Sequence, residues 1–228
     1  MTPTNISQST EHALEVRDAF REFIDDKLFP CVAAKAALTR DQMHIFVAGH
    51  LACPKDDQDI LDFIYKFVDT YRAADNDFHT VCVIFPDTHR VDEKTFDRLL
   101  WERLQALSDL DAQKYPYDSR VDSNPSSPNF SFSLKEEAFF IIGLSPASSR
   151  DSRKFRYPAI VFNPHEQFEE LRSLNRYDKM KNIVRKRDVA LSGSINPMLC
   201  DFGDDSEVYQ YSGMRYDKKW ECPYKYKN

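Results

Sequence analysis

Five glycines in 228 residues constrain this chain more than any other feature of its sequence. At the usual ~7% glycine, a chain of this length would carry about 16. Glycine tolerates positive φ and lets a backbone approach a ligand closely, so the shortage counts against folds whose chemistry sits on glycine-rich loops. Neither Gly-x-Gly-x-x-Gly nor Gly-x-x-x-x-Gly-Lys-Ser/Thr occurs, and Rossmann and P-loop nucleotide binding lose their usual sequence support. The rest suits a soluble globular chain, 42% hydrophobic and 30% charged, with 17 phenylalanines and 11 tyrosines. At this size roughly 70% of the unfolded surface is buried on folding, so one sizeable domain is expected over residues 11–228, after a frayed polar stretch at residues 1–10.

The formal net charge of −6 argues against a nucleic-acid partner, which needs a basic stripe to replace phosphate counterions. The most basic segment, residues 179–187, reads as a solvated helix face, with Met180, Ile183 and Val184 as its buried side. Cys31, Cys53, Cys82, Cys200 and Cys222 make an odd count without a Cys-x-x-Cys pair. The first ten residues have neither the charged nor the apolar region of a signal peptide. Apolar runs such as residues 138–144 fall well short of the ~20 residues of a membrane helix. A cytoplasmic protein that meets no membrane is the expectation.

Hydrophobic spacing predicts helices from Glu11 (Val16, Phe20, Phe23 or Ile24, Leu28), over residues 32–38, after Asp56 as N-cap (Ile60, Leu61, Ile64, Phe67, Val68, Tyr71), after Asp92 (Phe96, Leu99, Leu100, Leu104, Leu107) and over residues 165–190. Strands are expected at residues 44–47, 80–85, 138–144 and 159–163, the last two as antiparallel neighbours. Residues 111–129 and the aromatic tail read as irregular. This order predicts an α+β fold, one small central mixed or antiparallel sheet covered by helices.

Generic catalytic signatures are absent: no His-Glu-x-x-His, no Gly-x-Ser-x-Gly and no zinc-type Cys/His spacing. More specific strings are present: Phe29-Pro30-Cys31, Phe130-Ser131-Phe132-Ser133, Ala147-Ser148-Ser149-Arg150, Val161-Phe162-Asn163-Pro164-His165-Glu166, Arg187-Asp188, Gly193-Ser194-Ile195-Asn196-Pro197, Phe202-Gly203-Asp204-Asp205-Ser206-Glu207, Gln210-Tyr211-Ser212-Gly213 and Trp220-Glu221-Cys222-Pro223. In this order, over about 200 residues, they resemble the YqcI/YcgG family, which includes haem-dependent N-hydroxylases of guanidine compounds of the pre-guanitoxin N-hydroxylase type.

The resemblance implies a haem b oxygenase that hydroxylates a nitrogen of a small guanidine or amine, using O2 and electrons from an external reductase. A thiolate ligand favours O–O cleavage at haem iron. Cys31 is the first candidate for it, at an apparent helix start where N–H groups stabilise a thiolate; His165 and Cys222 are the rivals. Arg150 is the favoured partner of the haem propionates, with Arg153 and Arg187 behind it. A cationic substrate wants a carboxylate: Glu207 first, Glu166 second, with Gln210, Tyr211 and Ser212 orienting substrate or oxygen. Phe132, Phe139, Phe140 and Phe162 suit either a haem face or a plain core. Gly193, Gly203 and Gly213, ten residues apart in the densest run of family strings, mark residues 193–213 as a pocket wall. Two other functions stay open on the residues alone: a haem sensor or carrier without oxygenase activity, and a cofactor-free interaction module.

Overall fold

The computed structural model describes residues 3–74, 78–196, 198 and 202–227, with the side chains of residues 3–9 left aside. Helix α1, Pro3–Asp25, turns Val16, Phe20 and Ile24 inward, one turn apart. It begins well before Glu11, while Met1 and Thr2 of the expected frayed stretch lie outside the described residues. Leu28 falls beyond the helix and is 66% exposed, so it is not part of the buried stripe. Helix α2, Val32–Thr39, starts behind Cys31. Helix α3, Asp57–Ala73, buries Ile60, Leu61, Ile64, Phe67 and Val68. Its carboxylate Asp56 does not cap it, because Oδ2 accepts the Gly49 N–H at 2.7 Å instead. Asp92 does cap α4, Glu93–Asp111, accepting from the Thr95 N–H at 2.7 Å.

Among the described residues five strands form one mixed sheet: β1 (Met43–Val47), β2 (Thr80–Ile84), β3 (Phe132–Leu134), β4 (Glu137–Leu144) and β5 (Ala159–Pro164), in the order β1-β2-β5-β4-β3. β1 and β2 run parallel; β2/β5, β5/β4 and β4/β3 are antiparallel. The fold is a single α+β domain. β3 is a strand that periodicity does not reveal, since three residues are too few to show alternation. Its hairpin to β4 turns on Lys135 and Glu136, at φ 53 and 55, without the Asn-Gly or Asp-Gly that usually marks such a turn.

Alternation along the strands sorts side chains onto two faces. Val81, Phe162 and Ile141 share one row and lie in the core built with α3 and α4. Ile45, Cys82, Val161 and Ile142 share the opposite row. Helices α1 and α2 bury the β1 and β2 end of that row, but Val161 and Ile142 stay half-buried.

The long C-terminal helix predicted for residues 165–190 is two helices, α5 (Glu166–Ser173) and α6 (Tyr177–Ser192), broken where Asn175 takes φ 54. No residue of α6 is fully buried, so Met180, Ile183 and Val184 are not a core stripe; Ile183 is exposed. A short helix α7, Val208–Tyr211, stands in the segment read as irregular. Among the described residues no helix is long and apolar enough to cross a membrane.

Candidate functional site

Where α1 and α2 stop covering the sheet, a cavity of about 300 Å³ opens, at the lower end of small-molecule sites. Phe140, Ile142, Val161 and Asn163 form its floor, in directly opposed pairs Phe140–Asn163 and Ile142–Val161. Phe20, Ile24 and Phe29 close one side, and residues of α5 and α6 close another. Asn163 is the polar exception on the floor: its Oδ1 accepts from Thr80 Oγ1 at 3.0 Å and its Nδ2 donates to the Phe140 carbonyl at 3.2 Å.

Five of the residues singled out in the sequence, Cys31, Arg150, His165, Glu207 and Gln210, line this one cavity, though they come from four separate stretches of chain. Cys31 sits at the N-cap of α2, its Sγ accepting the Ala34 N–H at 3.4 Å. Burial nevertheless raises its pKa, outweighing the N–H groups of Ala34 and Ala33. The helix start alone therefore does not hold a thiolate, contrary to the expectation; a bound metal ion would supply the missing positive charge. His165 opens α5, its ring against Phe202 at 4.3 Å and its Nε2 3.1 Å from Glu169 Oε1. Burial drives its pKa down to about 4 against the pull of Glu169, with Arg172 and Arg120 pushing further down. The imidazole is neutral at pH 7, the form that ligates a metal.

Glu207 is buried beside α7. Its Oε1 accepts from Ser131 Oγ at 2.9 Å and from the Tyr211 hydroxyl. Burial lifts its pKa to about 8 despite those two bonds. Arg150 is tied across the cavity rim, with Nη2 2.5 Å from Asp188 Oδ2 and 2.7 Å from the Ser194 carbonyl. Arg153 also reaches the cavity, but its guanidinium donates to the carbonyls of Gly143, Tyr211 and Gln210 at 3.2, 2.9 and 2.8 Å. Burial and the neighbouring Arg150 lower its pKa to about 10. Gly213, at φ 83, leaves room for that arginine: a Cβ there would meet Arg153 Cδ at 3.1 Å.

The other candidates lie elsewhere. Cys222 packs at the edge of the α3/α4 core, where burial raises its pKa to about 12. Ser212 bonds Tyr216 at 2.8 Å in a network that ends on Asp97. Tyr211 does not line the cavity; it supports it through its bond to Glu207 and its edge-on contact with Phe140, its ring stacked on Trp101. Glu166 is exposed and paired with Arg120 at 2.6 Å. Arg187 points to solvent. Phe132, Phe139 and Phe162 belong to the filled core, leaving Phe140 alone of that group on the cavity. Of the expected wall at residues 193–213, Asn196, Phe202, Glu207 and Gln210 do line the cavity. Pro197, Leu199, Cys200 and Asp201 lie outside the described residues.

Sequence reasoning missed Asn163, Phe168, Arg172, Tyr177, Lys181 and Arg185 as lining residues. The signal for the last three was present in the i, i+4, i+8 spacing of α6, which looked like a surface helix because its inward side is polar. No group of three or more His, Cys, Asp or Glu side chains gathers as a metal site among the described residues. A haem iron asks for one or two axial side chains only.

The model of the YqcI/YcgG family matches residues 20–225. The "Uncharacterized protein YqcI" of Bacillus subtilis (strain 168) is 29% identical over 216 residues, covering 89% of this chain and 84% of that protein. No solved structure matches.

Proposed function

This chain belongs to the YqcI/YcgG family, and from that premise we propose that it is a haem-dependent oxygenase that N-hydroxylates a small guanidine- or amine-containing metabolite. The observation that carries the reading is the meeting of a thiol, an imidazole and a buried carboxylate, Cys31, His165 and Glu207, around one apolar floor. The residue chemistry fits a haem: aromatic and aliphatic side chains for the ring faces, Cys31 or His165 for the iron, cations at the rim for the propionates. When bound, the haem supplies the oxygen activation that side chains lack. The balance is R–NH + O2 + 2 electrons + 2 protons giving R–NOH + water, with electrons from a separate reductase.

The protein's own part is binding and proton placement. Glu207 has Oε1 fixed by Ser131 and Tyr211, which holds the carboxylate in one orientation for a guanidinium or ammonium. Only the ionised carboxylate pairs with a cation, and the group titrates near about 8. Binding of a guanidinium, which stays charged throughout this range, should therefore tighten as pH rises from 6 to 8.5. Titration calorimetry at the two pH values checks this, and a flat or falling affinity counts against Glu207 as the anchor.

Haemin reconstitution tests the whole reading. The purified protein should develop a Soret band, and the reduced CO complex a strongly red-shifted one if Cys31 ligates. Cys31→Ser should abolish that shifted band, whereas loss in His165→Ala instead moves the ligand to the imidazole. No Soret band in the wild type sinks the proposal. Haem binding without turnover of guanidine compounds, given O2 and a reductase, leaves the sensor or carrier reading in its place.

A further inference from the structure

The chain carries two tryptophans, Trp101 and Trp220, and the fold brings both into one column of rings behind the cavity. Tyr211 stands at the inner end. Its ring meets Phe140 of the cavity floor edge-on at 6.0 Å, and its hydroxyl donates to Glu207, which also lines the cavity. Trp101 of α4 stacks on Tyr211 at 5.6 Å and lies 6.0 Å from Trp220. Trp220 in turn stacks on Tyr216 at 3.7 Å and meets Tyr209 at 5.5 Å. Tyr211 and Trp101 are buried, whereas Trp220 and Tyr209 are half-buried, so the column runs from the cavity wall to the surface.

Packing accounts for rings in contact, but not for the carboxylates set among them, since a buried carboxylate is costly. Asp97 is buried, and its Oδ1 accepts the Trp101 Nε1–H at 3.2 Å and the Tyr216 hydroxyl. Glu207, also buried, accepts the Tyr211 hydroxyl. A phenol or indole that gives up an electron becomes a strong acid, and inside a protein it needs a base within hydrogen-bond reach. Tyr211, Trp101 and Tyr216 each have one.

We propose that Tyr211, Trp101 and Trp220, with Tyr216 beside them, form a relay that carries one-electron oxidising equivalents from the cavity to the protein surface. Tyrosine and tryptophan yield electrons only to strong oxidants, so the column carries oxidising equivalents outward and is not the route of the reductase's electrons. In each passage Tyr211 gives an electron to the oxidant in the cavity and its proton to Glu207. Trp101 then reduces the tyrosyl radical while Glu207 returns the proton, and the Trp101 Nε1 proton passes to Asp97 and comes back when Trp220 reduces Trp101. Ascorbate, a soluble one-electron reductant, restores Trp220. The oxidant is the oxygen atom retained when O2 has taken two electrons and two protons and no substrate is at hand. Two ascorbate monoanions each release one electron and one proton at the surface, and the retained oxygen atom takes up two electrons and two protons to leave as water. That source of oxidant rests on the proposed function; the path through the rings does not.

The test follows where the oxidising equivalents stop. Haemin-loaded, substrate-free protein is treated with hydrogen peroxide at pH 8.5, above the value of about 8 near which Glu207 ionises, and oxidised residues are mapped by peptide mass spectrometry. In the wild type Trp220 should be oxidised beyond the level that peroxide gives without haemin, and ascorbate should suppress it. Trp101→Phe and Tyr211→Phe, which keep a ring in place and whose folding far-UV circular dichroism verifies, should each lose that product and bleach the Soret band faster. If one of the two does not fold, the other reads the same path. A haemin-loaded wild type without the Trp220 product, or the same product in the variants, overturns the relay. A wild type that takes up no haemin fells the haem reading, and pulse radiolysis of the protein alone then decides this one. Azide radicals oxidise accessible tryptophan, here Trp220 and not the buried Trp101. In Tyr209→Phe/Tyr216→Phe, which lacks the outer phenols, the indolyl radical should still convert to a tyrosyl radical at a rate independent of protein concentration, and adding Trp101→Phe should abolish this. That pattern sustains the relay; no conversion, or conversion that survives the loss of Trp101, overturns it.

Discussion

The two faces of the sheet are made by the same strands and do opposite things. On one, Val81, Phe162 and Ile141 are wholly buried beneath α3 and α4, with the Phe139 and Phe162 rings edge to face at 5.9 Å. On the other, Val161 and Ile142 stay half-buried on the floor of a cavity. Residue type is not the main difference, for both faces are mostly apolar, with Phe140 on one and Phe162 on the other. What differs is the cover. Helices α3 and α4 bring apolar stripes long enough to fill their face, whereas α1 and α2 end over β1 and β2, and α6 turns charged side chains inward. A face left unfilled in this way leaves the room that the proposed function assigns to a ligand.

The comparison breaks first at its aromatic residues. Phe162→Ala on the filled face should cost about 3–5 kcal/mol, and Phe140→Ala on the cavity face less than about half of that, because Phe140 already borders a void. Urea denaturation of the two variants measures the gap, and equal costs would mean the two faces are packed alike.

Glu207 sharpens the contrast by its charge. The folded protein holds its pKa near about 8 instead of the ordinary 4.5, so the folded state binds the proton more tightly than the unfolded one. Its contribution is intact below about 4.5 and is lost as pH rises through about 8. Glu207→Gln keeps an acceptor for Ser131 and Tyr211 and removes the buried charge. It should therefore gain little stability at pH 4.5 and about 2–4 kcal/mol at pH 8.5. Thermal melts at the two pH values check the sign; a gain that shrinks with pH would contradict the buried environment.

The smallest effect belongs to neither face. Lys135 and Glu136 hold left-handed conformations at the β3–β4 turn, with Lys135 N–H bonded to both Asp111 oxygens at 3.0 and 3.1 Å and Arg72 Nη2 donating to the carbonyls of Lys135 and Glu136 at 3.0 and 2.7 Å. Glu136→Gly relieves the strain while keeping the backbone bonds, and should stabilise by about 1 kcal/mol. Chemical denaturation reads this, and haemin titration should not change, since neither Lys135 nor Glu136 lines the cavity.

This turn also explains part of what the sequence hides. A chain with five glycines still needs reversals, and it makes them at Asp41, Phe78, Arg90, Lys135, Glu136 and Asn175, all at positive φ. Tertiary partners hold Lys135 and Glu136 in place, so no local signal announces the β3 hairpin. The break between α5 and α6 falls on Asn175, a residue type that does adopt this conformation, so a faint signal for it was present. Gly193, Gly203 and Gly213, by contrast, do take positive φ, at 75, 93 and 83, within the segment that supplies Asn196, Phe202, Glu207 and Gln210 to the cavity.

The sequence by itself determined the elements whose physics is local. Apolar spacing placed the buried sides of α3 and α4, Asp92 set a helix start, β-branched runs made β2, β4 and β5, and the family strings identified the lineage. Only the tertiary structure decided which face of each strand was filled, and so that Phe140, not Phe162, borders the cavity. It brought Cys31, His165 and Glu207 together, left Cys222 on the other side of the sheet, and turned Lys181 and Arg185 inward. Those choices depend on where covering helices end, a property of long-range packing that period and composition do not carry.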